Sequence, residues 1–134
     1  MMVKRNGARS TAVTTLTDVE LELMTILWRL GAGTVRQVMA ELPGERDLAY
    51  TSVSTIVRIL EQKNVLTARK DGQTHVYSPL LDKSTYEAST LKHLVSTVFD
   101  GAATALVARL IDVEAMNQDD LVRLRRLLDD RLTP

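Results

Sequence analysis

The chain has 134 residues, which suits one ordinary domain or two small ones. Hydrophobic residues make up 45% and charged residues 25%, a composition typical of a folded chain rather than a disordered one. The 17 basic and 17 acidic side chains give a net charge of zero, and the lack of cysteine excludes disulfides, thiolate metal sites and cysteine nucleophiles.

Residues 1–15 hold Lys4, Arg5 and Arg9 but no acid and no periodic pattern, so we predict a flexible basic arm. This segment lacks the apolar stretch of a secretory signal. No apolar run in the chain reaches the roughly 18 residues of a membrane span. We therefore expect a cytoplasmic protein that has no membrane partner.

Two helices are predicted after the arm. The first begins at the N-cap Thr17, where Glu20 completes a capping box, and ends at Gly31. The second is short and ends before Pro43. Thr34 either opens this second helix or belongs to a very short strand.

A third helix and a β-hairpin come next. The helix is predicted from about Tyr50 to Lys63, with Asn64 as a left-handed cap. Residues 65–70 and 74–78 read as strands joined around Asp71-Gly72, a strong hairpin signal. Three helices followed by a hairpin indicate a winged helix-turn-helix.

The fold class is thus mostly α with a small β-hairpin wing, divided into a winged helix-turn-helix over residues 16–81 and a helical region over residues 82–134. The three helices of that region carry more apolar surface than so short a chain can bury, since small domains hide only about 60% of their unfolded surface. A two-fold homodimer, the commonest oligomer, would cover it. We predict that the dimerisation residues are Leu91, Leu94, Val95, Val98, Leu106, Leu110, Leu121, Leu124 and Leu128.

The outward face of the third helix indicates DNA binding. An apolar stripe faces inward, and the opposite face carries short hydroxyls, an arginine and a glutamine rather than the Glu and Lys of a solvated helix. Arg and Gln can bond base edges in the major groove, and basic residues near the helix ends and at the hairpin tip can contact phosphates. The predicted DNA-binding residues are Thr51, Ser52, Ser54, Thr55, Arg58, Gln62, Lys63, Arg69, Lys70 and Arg36.

An enzyme and a protein-binding module are the alternatives. The two histidines, His75 and His93, fall on a predicted strand and a predicted helix, where they read as surface residues. No nucleophile elbow, phosphate loop or metal-ligand spacing appears, so we predict no catalysis, metal or cofactor. A winged helix used only for protein contact predicts apolar or acidic residues where Thr51, Thr55 and Arg58 stand.

Four segments carry a family pattern: LTDVELELMTILW, TVRQVMAEL, LAYTSVSTIVRILEQKNVLTARKDG and HVYSPL. They resemble the penicillinase repressor family (BlaI/MecI, with the related copper-responsive CopY repressors), and the similarity continues more loosely through NQDDLVRLRRLLDDRL. The resemblance implies a DNA-binding winged helix and a helical C-terminal dimerisation domain. It also implies repression of an antibiotic- or metal-response operon, with double-stranded operator DNA as the partner.

Three departures from the family pattern bear on this expectation. Ala49 stands where some members have a better N-cap, so the third helix is expected to fray until DNA is bound. Copper-type members carry a C-terminal cysteine cluster, which this chain lacks. Staphylococcal members are cleaved at an Asn–Phe bond, but Arg109 and Leu110 stand at the corresponding position. The resemblance therefore implies no particular protease or upstream sensor.

Overall fold

A computed structural model describes residues 15–132 and contains six helices and one hairpin in that range. The predicted mostly helical fold with a hairpin wing is confirmed. Apart from Thr15, the predicted basic arm lies outside the described residues. The elements in chain order are α1 (Asp18–Leu30), α2 (Val35–Ala40), α3 (Tyr50–Gln62), β1 (Leu66–Asp71), β2 (Thr74–Pro79), α4 (Lys83–Thr97), α5 (Ala103–Asp112) and α6 (Gln118–Leu132).

Reciprocal capping boxes set the start of the first two helices. The Thr17 hydroxyl accepts the Glu20 N–H at 3.1 Å, and the Glu20 carboxylate accepts the Thr17 N–H at 2.9 Å. The same arrangement joins Thr34 and Gln37, so Thr34 opens α2. The alternative of a short strand holds only for Gly33, which forms an isolated bridge to β2.

The core of the winged helix is built from one face of each of the first three helices and from the base of the hairpin. Two hydrogen bonds tie the hairpin to the start of α2, from the Gly33 N–H to the Tyr77 carbonyl at 2.9 Å and from the Tyr77 N–H back at 2.8 Å. These bonds fix β2 beside the helices. The buried side chains include Leu23, Met24 and Leu27 of α1, Val35 and Val38 of α2, Val53, Val57 and Leu60 of α3, and Val65, Leu66 and Tyr77.

The first half of α4 belongs to this core. The Trp28 indole N–H donates to the Leu81 carbonyl at 2.8 Å, and the Trp28 ring lies 5.8 Å from that of Tyr86. The contacts of the chain divide it after Thr90, inside α4, which is further along than the boundary predicted after Leu81.

The unit from Leu91 onward leaves its apolar side chains uncovered. Among its described residues no side chain is buried, and Val98 and Leu128 are 66% and 53% exposed. Leu91, Leu94, Phe99 and Leu106 line an apolar cleft within this unit. The predicted dimerisation residues are all exposed or half-buried in the single chain, and homodimer formation itself stays a prediction.

A buried carboxylate joins α1 to the end of α3. The Lys63 ammonium lies 2.9 and 3.0 Å from the two carboxylate oxygens of Glu20, a residue that is only 6% exposed. Burial raises the pKa of Glu20, but the hydrogen bonds from the Thr17 N–H and from Lys63 outweigh it and hold the pKa below its ordinary value. The ionised form of Glu20 is therefore the one that stabilises the fold.

We expect Glu20→Gln to lower the free energy of unfolding by about 1 kcal/mol at pH 7, because it keeps a cap acceptor but removes the charge that Lys63 faces. Because the pKa of Glu20 is lowered in the folded state, its ionised carboxylate stabilises the fold at pH values above the ordinary pKa. This stabilisation is lost as the pH falls through the folded-state pKa. The deficit should therefore shrink below the ordinary pKa of 4.5, as measured by urea unfolding across pH. Glu22→Gln is the control, because its pair with Arg46 is more exposed. Equal, pH-independent losses in both variants would contradict this account.

Candidate nucleic-acid interface

The apolar stripe of α3 determines which of its side chains face outward. Val53, Val57 and Leu60 are at most 1% exposed, so the opposite side of the helix faces solvent. The predicted contact residues lie there as the helical wheel implies. Thr51, Ser52, Thr55, Arg58 and Gln62 are exposed, and Ser54 is half-buried.

The first two turns of α3 form a shallow depression rather than a ridge. It is lined by Thr51, Ser52, Thr55 and Ile56, none of which carries a charge. The hydroxyl side chains of Thr51, Ser52 and Thr55 are short enough to let a helix lie close to base edges. The helix begins at Tyr50 although Ala49 provides no side-chain cap, so the weak cap does not displace its start.

The register of the hairpin separates two residues that we predicted to act together. Lys70 pairs with His75 and Arg69 with Val76 across the two strands. Because side chains alternate between the faces of a strand, Lys70 shares the face of His75 and Tyr77, whereas Arg69 lies on the opposite face. Only Lys70 is therefore on the side of the hairpin that packs toward the helices.

Most basic side chains of the predicted interface have no acidic partner. Arg29 and Arg46 are neutralised by Glu41 and Glu22, at 3.2 and 3.0 Å. Within residues 15–132, four predicted DNA-binding residues form no ion pair: Arg36, Arg58, Arg69 and Lys70. Lys63 differs from these four residues, because the Glu20 carboxylate already pairs with its ammonium.

A cleft of about 150 Å³ lies beside this face of α3. Arg36, Tyr50, Ser54 and His75 line it, together with the buried Tyr77. The Arg36 guanidinium lies 4.9 Å from the centre of the Tyr50 ring, in cation–π geometry. Burial, with nearby Glu61, raises the pKa of Tyr77. The phenol at the base of the cleft therefore stays neutral at physiological pH.

Sequence reasoning missed two residues of this cleft. The sequence predicts Tyr50 only as the start of the helix. It predicts His75 as a surface residue of the strand, and His75 is exposed, but the sequence does not predict its place in the wall of the cleft. Strand alternation offered a signal for His75, because it lies two residues from Tyr77 and so shares the face of a core residue. Nothing local signalled that Arg36 and Tyr50 meet.

Neither a metal-binding cluster nor a membrane-spanning helix occurs among the described residues. Between residues 15 and 132, no group of three or more His, Asp or Glu side chains is placed to hold a metal ion. No helix in that part of the chain is long and apolar enough to cross a membrane.

Comparisons with known proteins agree with this architecture. The family model described as "Penicillinase repressor" matches residues 16–130. The transcriptional regulator BlaI of Mycobacterium tuberculosis is 34% identical over 118 residues, which cover 87% of this chain and 84% of the relative. The methicillin resistance regulatory protein MecI of Mammaliicoccus sciuri is 24% identical over 116 residues, covering 87% and 94%.

A solved structure of a related DNA-binding domain has the same fold as the winged helix. The solution structure of the DNA-binding domain of the repressor BlaI superposes with a TM-score of 0.50 at 28% identity and covers 56% of this chain and 92% of its own. The relatives are DNA-binding regulators and not enzymes, so the prediction against catalysis is confirmed. The family model spans nearly all of the described residues, and on this evidence the chain belongs to the penicillinase repressor family.

Proposed function

We propose that the chain is a cytoplasmic repressor that binds a palindromic DNA operator as a homodimer. The observation that carries this proposal is the outward face of α3. That face combines short hydroxyls with an unpaired Arg58, beside other cations that no acid neutralises within the described residues. Family membership supports the repressor role, and relatives named for penicillinase and methicillin resistance support an antibiotic-response operon.

In the proposed complex, α3 lies in the major groove and reads bases through its first turns. Thr51, Ser52 and Thr55 allow close approach, and Arg58 extends from the next turn to donate a bidentate pair of hydrogen bonds to a guanine. Lys70 acts on a phosphate from the inner face of the hairpin, and Arg69 acts from the outer face. The phosphate contacts set position, and the α3 contacts set sequence.

Dimerisation would explain how so small a module reaches operator affinity. The described residues from Leu91 onward bury no side chain, so their apolar surface needs a cover, and the two-fold partner is the simplest one. Linking two winged helices makes the second half-site contact intramolecular and multiplies affinity. The same symmetry matches a palindrome.

We predict that Arg58→Ala weakens operator binding by about 1–3 kcal/mol and relaxes the preference at one base pair in each half-site. Fluorescence anisotropy with the operator and its single-base variants measures both effects. Arg29→Ala removes an equal charge from an arginine that Glu41 already neutralises and should leave both unchanged. Wild-type affinity and sequence preference in Arg58→Ala would show that Arg58 contacts no base.

A second variant tests the dimer. Leu128→Asp places a charge on an exposed leucine of α6 and should convert the dimer to a monomer in sedimentation analysis. Affinity for the full operator should then fall about 100-fold, while affinity for an isolated half-site stays constant. Leu80→Asp is the control, because Leu80 is 58% exposed but lies outside the C-terminal helices. A monomeric variant that bound the full operator as tightly as wild type would rule out the proposed role of dimerisation.

A further inference from the structure

The cleft lined by Arg36, Tyr50, Ser54 and His75 has no role in the base contacts proposed above. We propose that this cleft, hereafter the phosphate cleft, binds one phosphate group, and that in the DNA complex the occupant is a backbone phosphate of the operator. The claim that DNA supplies this phosphate rests on the proposed function. The claim that the cleft binds an oxyanion does not.

The walls of the phosphate cleft supply donors and positive charge without a carboxylate. Arg36 offers the fork of N–H groups that matches an oxyanion, and Tyr50, Ser54 and His75 add hydroxyl and ring donors. None of the residues that line the cleft is acidic. Within residues 15–132, Arg36 has no ion pair and no hydrogen-bond partner for its side chain, so its donors are available. A small oxyanion is the ligand that this set of groups recognises.

The phosphate cleft is also held in shape before any ligand arrives. The Arg36 guanidinium rests 4.9 Å from the Tyr50 ring centre, which restricts its rotamers while leaving its N–H edge free. The hydrogen bonds between Gly33 and Tyr77 fix β2 against the start of α2 and so fix the distance between the two walls. Preorganised walls reduce the entropy lost when a ligand binds.

Lys70 adds a positive charge to the face of the hairpin that carries His75. Lys70 stands opposite His75 in the strand register, so its side chain emerges on the same face of the hairpin. Arg69, on the other face, does not contribute there. The only acids on the hairpin and α3 are Asp71, at the wing tip, and Glu61, near the C-terminal end of α3. Neither lines the cleft, although Glu61 lies near enough to Tyr77 to raise the pKa of that phenol.

The position of the phosphate cleft suits a phosphate that flanks the groove. Tyr50 and Ser54 line the cleft, while their neighbours Thr51 and Thr55 line the depression on the groove-facing side of α3. A helix that lies in the major groove has the sugar-phosphate backbone along its side, and backbone contacts there fix its register. One DNA strand can therefore place a phosphate in the cleft while α3 contacts the bases.

The salt dependence of DNA affinity tests whether the cleft binds a backbone phosphate of DNA. Arg36→Gln should reduce the slope of log affinity against log salt by about 0.9 and weaken binding to the operator and to unrelated DNA alike. Sequence preference should not change. Arg29→Gln removes the same charge from a paired, exposed arginine and should leave the slope at the wild-type value.

A titration of the full-length protein with inorganic phosphate tests the chemistry of the cleft without DNA. The two histidines provide a probe and an internal control, because His75 lines the cleft and His93 lies on α4. The imidazole proton signal of His75 should shift on replacing chloride with phosphate at constant ionic strength, and that of His93 should not. The shift should disappear in Arg36→Gln.

The two measurements separate the sources. A reduced slope together with a His75 shift supports a cleft that accepts both operator phosphate and the free ion. A His75 shift with an unchanged slope overturns the DNA occupant and assigns the cleft to a free oxyanion. If the slope is unchanged and the His75 signal does not shift, the proposal is overturned. A wild-type protein that binds no DNA but shows the His75 shift contradicts the proposed function and leaves the oxyanion site standing.

Discussion

The burial of Val53, Val57 and Leu60 is the constraint on which the rest of the interface depends. These side chains pack into the core formed with α1 and the hairpin base, and each is at most 1% exposed. Rotating α3 about its axis would expose that stripe, at a cost of about 25 cal/mol for each Å² of apolar surface. The rotation of the helix is therefore fixed, and with it the set of side chains that face outward and form the proposed DNA-contact surface. The paired backbone hydrogen bonds of Gly33 and Tyr77 then place the hairpin beside that same face.

The charge distribution shows how a neutral chain can present a positive surface. Arg29, Arg46 and Lys63 each face a carboxylate, so their charges are neutralised where they lie. Arg36 and Arg58 are not neutralised in this way, because no acid pairs with them among residues 15–132. Attraction to phosphates over the Debye length of about 8 Å at physiological salt depends on these local charges rather than on the net charge.

Local signals predicted most of the fold, and contacts distant in sequence account for what was missed. The Thr17 capping box, the period of α3 and the hairpin turn each depend on residues close together in the chain, and each appears as expected. The Lys63–Glu20 pair joins residues 43 positions apart, which no periodic pattern reveals. The phosphate cleft likewise needs α2, α3 and β2 brought together. The difference between Arg69 and Lys70 was available from strand alternation alone.

Selection of bound sequences from a random pool of DNA duplexes tests the central claim most directly, because it presumes neither the operator nor any contact. A symmetric pair of recognition helices should enrich a palindrome whose half-site centres are separated by about 10–10.5 base pairs or a multiple of that spacing. Repeating the selection with Arg58→Ala would tie the enriched bases to α3. Failure to enrich any sequence, or enrichment of a single site without two-fold symmetry, would contradict recognition of an operator by a homodimer.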